Sequence, residues 1–462
     1  MKLTKGGRIM TKYNPSEWKS KGKSSGFNRR SFLKTSAAVM AGAASSFAAP
    51  YVNAQAKVTL RFLNNETAAD SQTVLRNACS AYESKFGVKI IVDSTPISGA
   101  YAKTMAAINA GTPYDLSTQG YIAHILQYAR GGHLLPMTEL VKQHSWGKMG
   151  AWTYQGENWF YPYDYNLVTC YYRKDLYAEK GLKVPTTWAE YLENCRALTV
   201  SKDGNIERGG CVIPLASDSA TNWASFGNLF AEAPQFYDDK WNVVLDAPEN
   251  AGRAGRFLDL FGELYKTMPP GLNTVGYAEL MSLFVTGKVA HTLYSGRVVE
   301  ALEARNPELA DKYGIFAAPD SGGKQSALPF AFDGFVAFKT KQSEETMKFL
   351  KWFIDEHYID WLHSAWMNFQ PVRLDVYEDP RWKKHPMIQK HWATMMQMKS
   401  FIDPDSKVRL SSVDLIGPSI DLRPCKVFDA NIMPEMLQNK VLKNMSSADC
   451  VKTAADRIRA IG

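Results

Sequence analysis

The chain is short of the residues that build reactive centres. Among 462 residues it has six cysteines and eight histidines, and no two histidines stand four apart, the spacing that sets a metal-binding pair on one helix face. No CxxC or CxxCH occurs, so a dithiol motif, a zinc ribbon or a c-type haem site has no support. GxGxxG, the P-loop, GxSxG and HExxH are missing too, which removes the usual dinucleotide, nucleotide, esterase and zincin readings. Ser145-x-x-Lys148 and Ser321-x-x-Lys324 match a penicillin-binding pattern in letters but lack its partner motifs. Acid is almost missing from the front: residues 1–54 hold ten Lys or Arg and one acid, Glu17, leaving 44 basic and 45 acidic residues behind them. The formal charge of +8 therefore belongs to the front segment, and the remainder offers no basic field for a phosphate backbone, so no nucleic-acid partner is expected. The apolar run at 35–49 is 15 residues long and rich in Ala, Gly and Ser, short of the ~20 that a spanning helix needs.

What is present at the front is an ordered address. Asn28-Arg29-Arg30-Ser31-Phe32-Leu33-Lys34, the weakly apolar run, then Pro50 and Val52-Asn53-Ala54 give a charged region, a short apolar region and a small-residue cleavage site. This resembles a twin-arginine signal peptide, expected to span 1–54, to use the Tat export machinery and to be cut near Ala54. No cysteine lies in or just after the run, so a lipid anchor is not expected, and the mature chain is expected to be free in the periplasm. All six cysteines then meet an oxidising compartment, where fifteen pairings are open. With 45% apolar and 12% aromatic residues, the chain is long enough for two cores.

From residue 58 the hydrophobic pattern alternates strand and helix. Residues 58–63, 88–92 and 114–117 read as strands, with helical spacing at 67–86 and 101–109, an order that implies a parallel sheet. Farther on, 167–173, 211–215 and 289–294 read as strands, 254–266, 277–286 and 344–353 as helices, and 429–461 as mostly helical. Thr187 with Glu190 predicts a capping box. Pro, Gly and Ser concentrate at 318–326, before the apolar Phe335-Val336-Ala337-Phe338, which predicts a crossing between domains.

Four groups of motifs occur in one order over nearly the whole mature chain. The first is Pro113-Tyr114-Asp115-Leu116 with Gly132-His133-Leu134-Leu135-Pro136-Met137. The second is Gly156-Glu157-Asn158-Trp159-Phe160-Tyr161-Pro162, Tyr171-Tyr172-Arg173-Lys174-Asp175-Leu176 and the helix start Pro185-Thr186-Thr187-Trp188-Ala189-Glu190. The third is Phe284-Val285-Thr286-Gly287-Lys288-Val289-Ala290 with Ser295-Gly296. The fourth is Asp333-Gly334-Phe335 with Phe349-Leu350-Lys351-Trp352-Phe353 and Gln370-Pro371-Val372-Arg373. Together they resemble the family 1 extracellular solute-binding proteins, the sugar and polyol receptors of ABC importers. Arg297 departs from the Trp frequent in relatives, and Asp333-Gly334 from a Gly-Gly.

The resemblance implies an α/β fold of the periplasmic binding protein type II kind: two α/β lobes joined by hinge strands, with solute held in the cleft by lobe closure. The lobes are expected at 55–162 plus 333–385 and at 163–332 plus 386–462. It further implies a monomer without cofactor or metal, partnered by membrane permease subunits and a cytoplasmic ATPase.

Open α/β sheets bind ligands beyond the carboxyl ends of their strands. That rule selects Asn64, Asn65, Glu66 and Asp70 after the first strand and Gln119 and Tyr121 after the third. It also selects Tyr163-Asp164-Tyr165 at the crossing, Ser295, Gly296 and Arg297 after 289–294, and Asp333 and Gly334 on the return. Carbohydrate needs planar polar groups for its hydroxyls and flat aromatic faces for the C–H side of its ring. The 12 Trp and 22 Tyr can supply such faces or simply fill the core, and Asn222, Trp223 and Trp366 join the set. The Tyr-Asp-Tyr run is expected to face the cleft because it is too polar for a core strand. Glu66 and Asp70 read equally as helix N-terminal acids, and Arg297 and Arg373 as ligand contacts or as partners of a nearby Asp. The expected function is capture of a sugar, oligosaccharide or polyol for an ABC importer. Its rival is an exported, glycoside hydrolase-like enzyme with Asp164 and Asp333 as acid and base ~5–9 Å apart across the cleft.

Overall fold

The computed structural model describes residues 58–462, so the twin-arginine segment and the expected cleavage at Ala54 lie outside the described residues. Strands β1 (Thr59–Asn64), β2 (Lys89–Ser94) and β3 (Leu116–Gln119) alternate with the helices Ala69–Phe86 and Ile97–Asn109 and pair in parallel. The first helix stops at Gly87, whose φ of 74° lets its N–H turn back to Glu83 O, a left-handed cap that a side chain would strain. β4 (Tyr161–Leu167) joins the same sheet, whereas β5 (Thr169–Arg173) starts a second one. After the ribbon of β6 (Val200–Lys202) and β7 (Asn205–Arg208), strands β8 (His291–Tyr294) and β9 (Tyr313–Phe316) flank β5 on either side. β10 (Ala318–Pro319), β11 (Ser326–Ala337), β12 (Gln370–Pro371) and β13 (Arg409–Ser411) return to the larger sheet, ordered β12-β4-β11-β3-β1-β2 with β10 and β13 on β11. The chain thus passes between sheets at Val168 and again at Ala317.

This is the expected two-lobed α/β architecture, with three corrections. Parallel pairing holds for β1 to β3, but β11 lies antiparallel to β3 and β4, and the second sheet is antiparallel throughout. A strand that leaves for the other lobe and one that returns from it necessarily run in opposite directions. The 167–173 run is two strands broken at Val168, because each half pairs in a different sheet. Residues 211–215 are buried but form no ladder; instead the Val212 N–H reaches His291 O at 3.1 Å.

The capping box is present: Glu190 N–H donates to Thr187 Oγ1 at 3.2 Å, and Thr187 N–H to Glu190 Oε2 at 3.3 Å. All six cysteine thiols are free and buried, and burial pushes the Cys79 thiol up to about 12. Among the described residues no helix is long and apolar enough to cross a membrane, and no His, Cys, Asp and Glu cluster could hold a metal.

Candidate functional site

A cavity of about 430 Å³ lies between the two sheets and is lined from both. The larger sheet supplies Asn65, Glu66, Thr67 and Ala68 after β1, Pro96 and Ile97 after β2, and Tyr121 after β3. All three are carboxyl ends of parallel strands, where loops are free to converge on a ligand. The second lobe supplies Trp223 and Tyr277 from the helices Ser219–Glu232 and Tyr277–Val285, and Tyr294, Ser295 and Arg297 from the end of β8. The crossing strands add Asn166 of β4 and Ala331 and Asp333 of β11.

One wall is aromatic. The Trp223 ring stands 5.6 Å from both Tyr277 and Tyr294, which are 6.3 Å apart. Tyr121 Oη donates to Ser219 Oγ at 3.1 Å and lies 3.3 Å from Tyr277 Oη, joining the two lobes at one rim. The rest of the lining is polar. Arg297 Nη2 donates to Glu66 Oε2 at 3.0 Å across the cleft, and Asn166 Nδ2 donates to the Asp333 carboxyl. The Asn65 N–H is fixed on Thr118 Oγ1 at 2.7 Å, but both polar atoms of its side chain are buried without a partner in the protein. A buried amide left unpaired costs ~1–3 kcal/mol, so this side chain at the cavity wall has unmet hydrogen-bonding capacity.

Behind the polar wall Asp333 N–H donates to Asp164 Oδ1 at 2.9 Å, while Asp164 Oδ2 is buried without a partner. Burial first, and then the charge of Glu66, push the Asp333 carboxyl up to about 7, with Arg297 and Asn166 offsetting only part. Burial, followed by Asp333 itself, holds Asp164 well above the usual carboxylate range.

Of the residues selected from sequence, Asn65, Glu66, Tyr121, Trp223, Ser295, Arg297 and Asp333 meet at the cavity. The others lie elsewhere, for identifiable reasons. Asp70 sits in the first turn of its helix, as a helix N-terminal acid, on a separate groove with His357 and Asp360. Gln119 is buried, its Nε2 donating to Ser117 Oγ at 2.9 Å. Tyr163 packs among Phe335, Trp361 and Phe369 with its hydroxyl buried and unpartnered, and Tyr165 packs against Phe332 with its hydroxyl on Lys148 O; the large aromatic area each ring buries outweighs its one polar tip. Asp164 backs Asp333 without lining the cavity. Asn222 Nδ2 donates to Phe428 O at 3.2 Å. Gly296 and Gly334 are close-packing positions: a Cβ on Gly334 would meet Tyr161 O at 2.4 Å. Trp366 stacks between His385 and His391, and Arg373 forks onto Asp375 and covers the Tyr358 ring at 4.9 Å in a different cavity.

Sequence reasoning missed Thr67, Ala68, Pro96, Ile97, Asn166, Tyr277, Tyr294 and Ala331; Thr67, Ala68 and Tyr294 stand beside residues that the strand-end rule did select. Pro96 and Ile97 follow a strand end, so the rule that found Glu66 and Tyr121 reaches them. Asn166 and Ala331 carry a signal in strand alternation, since Tyr163 and Tyr165 face the core while Asp164 and Asn166 face the other way, as do Ala331 and Asp333, which alternate with Phe330 and Phe332. Tyr277 opens a helix and carries no such mark.

A family model described as bacterial extracellular solute-binding protein matches residues 77–390. The chain belongs to this family. It is 28% identical over 190 residues to the mannitol-binding protein of Pseudomonas aeruginosa, covering 39% of this chain and 42% of that one. The chain spans less than half the length of the curated relatives it matches. Likeness of fold extends farther. An ABC transporter solute-binding protein from Thermotoga lettingae, bound with α-D-tagatose, is similar at TM-score 0.69 and 18% identity over 88% of this chain and 100% of that one. One from Agrobacterium vitis S4 with bound D-mannitol is similar at 0.64 and 20% over 87% and 97%. The family and these neighbours are binding proteins of exported, two-lobed architecture.

Proposed function

We propose that this solute-binding protein captures a small carbohydrate, a sugar or polyol, in the cavity between its lobes and delivers it to the permease of an ABC importer. The observation that carries this reading is the two-sided cavity: Trp223, Tyr277 and Tyr294 on one wall, Asn65, Glu66, Asn166 and Asp333 on the other. Aromatic faces suit the C–H side of a sugar, and amides and carboxyls suit its hydroxyls. A volume of about 430 Å³ is near the small end of the ~300–1,000 Å³ typical of solute pockets, which favours a polyol or a sugar of one or two rings. The mannitol and tagatose named for relatives support the same class. The strand pairing supports lobe boundaries at Val168 and Ala317, which keep β4 and β11 whole, in place of the expected 162 and 332 that would cut both strands. The twin arginines, Arg29 and Arg30, support Tat export to the periplasm, where the protein acts as a monomer without a cofactor.

The glycosidase alternative fits less well. Asp164 and Asp333 are a cross-strand pair of β4 and β11 with Asp164 behind the cavity wall, whereas acid and base must flank the bond being cut.

The test is the thermal midpoint against a panel of sugars, polyols and glycerophosphates. A solute held at ~100 times its Kd adds ~2.7 kcal/mol to the native state and raises the midpoint by several degrees without turnover. No shift across the panel, or hydrolysis lost in Asp164→Asn, overturns the proposal. In calorimetry with the solute so found, Trp223→Ala is expected to weaken binding about tenfold, the ~1.4 kcal/mol of one aromatic face.

A further inference from the structure

Arg297 is the only Lys, Arg or His among the described residues that line the cavity, and its position would suit an acidic solute. Its charge, however, is already answered. Glu66 holds its Nη2 at 3.0 Å, and Glu300, one turn along the same helix, and Asp333 both act on it electrostatically. Glu300 is fixed in place, its Oε1 accepting the N–H groups of Met367 and Asn368 at 3.0 Å each. The helix Arg297–Arg305 points its N-terminus toward this region, a feature that by itself attracts anions. Glu300 occupies its first turn, and a Cβ on Gly296 would stand 1.9 Å from Met367 O, so a carboxyl and a carbonyl already occupy that end. Three carboxyl groups therefore surround one guanidinium, and Asp333 takes its hydrogen bond from Asn166 rather than from a cation.

We propose that the Glu66–Arg297 pair is a charge filter: it selects neutral sugars or polyols and rejects their acid and phosphate derivatives. This rests on the carbohydrate reading of the cavity and deepens it. An anionic group reaching Arg297 adds negative charge where Glu66, Glu300 and Asp333 already face one guanidinium, a like-charge penalty that a hydroxyl does not incur. Arg297 then serves to hold Glu66 in position as an acceptor and to bind the two lobes together, rather than to recruit charge.

Matched pairs test the filter by calorimetry on the whole protein: D-mannitol with mannitol 1-phosphate, D-tagatose with tagatose 6-phosphate, and D-glucose with glucuronate and glucose 6-phosphate. The neutral member of whichever pair binds is expected to bind at least ~100-fold more tightly, like-charge juxtaposition costing several kcal/mol. Glu66→Gln, which removes the carboxyl hydrogen-bonded to Arg297, is expected to narrow that ratio about tenfold or more. An anionic member that binds as tightly as its neutral partner, or more tightly, overturns the filter while leaving the carbohydrate reading intact. So does an unchanged ratio in Glu66→Gln, and if that variant does not fold, the wild-type ratio decides alone. If no member of any pair binds, the carbohydrate reading fails and the filter falls with it.

Discussion

Gly296→Ala is expected to lower the thermal midpoint by about 10 °C and to weaken solute binding more than tenfold, although it adds only one methyl group. That methyl would stand 1.9 Å from Met367 O, 2.3 Å from Met367 C and 2.8 Å from Asn368 N, all backbone atoms that no rotamer change moves aside. The helix Arg297–Arg305 cannot simply retreat, because Glu300 accepts the Met367 and Asn368 N–H groups and Ser295 Oγ donates to Asn368 Oδ1 at 2.6 Å. Overpacking costs ~1–3 kcal/mol, and hydrogen bonds to a charged acceptor ~1.5–3 kcal/mol each when broken. At ~2–4 °C per kcal/mol for a large domain, the midpoint shift follows. Binding is lost because the moved helix takes Arg297 away from Glu66. Gly252→Ala serves as control: its site is exposed in a helix, the nearest atom being Arg256 Nη1 at 4.0 Å. There alanine is expected to leave the midpoint level or raise it slightly, as its better helix propensity predicts.

Asp333→Asn is expected to stabilise the protein at pH 8 and to leave it unchanged near pH 3, as read from urea midpoints. Burial pushes the Asp333 carboxyl up to about 7 in the folded protein, whereas in an unfolded chain it ionises near ~3.9. Between those values the folded protein keeps a proton that the unfolded chain has released, so stability falls as pH rises through the window. Below the window both states are neutral at this position and the amide gains nothing. Above it the wild type bears a buried charge that the amide lacks, a difference on the order of a few kcal/mol. Asp164, raised in the same sense, keeps part of the slope in the single variant, and Asp164→Asn combined with Asp333→Asn is expected to flatten it further. A single variant with the wild-type slope would falsify the assignment of that proton to Asp333.

The lobed architecture and much of the cavity were legible because both follow from local pattern. Apolar alternation and helix caps located β1 to β3 and the helices between them, and the strand-end rule reached Glu66, Tyr121 and Arg297. The antiparallel course of β4 and β11 was hidden because it depends on which sheet each half of 161–173 joins, a long-range choice that leaves no mark on residue type. Tyr163 and Tyr165 were misplaced because composition was weighed above period: read two by two, β4 sends these tyrosines to the core face of the sheet and Asp164 and Asn166 to the opposite face. Tyr277 reaches the cavity only through the packing of its helix against Trp223 and Tyr294.

The burial of all six thiols leaves the chain's surface chemically silent to maleimides. Thr67 is exposed and stands at the cavity's edge, so a cysteine placed there would be the one thiol open to a dye. The wild-type sequence is in this respect already a blank scaffold for an optical sensor, in which the proposed closure of the lobes over a solute would be read directly as a change in fluorescence.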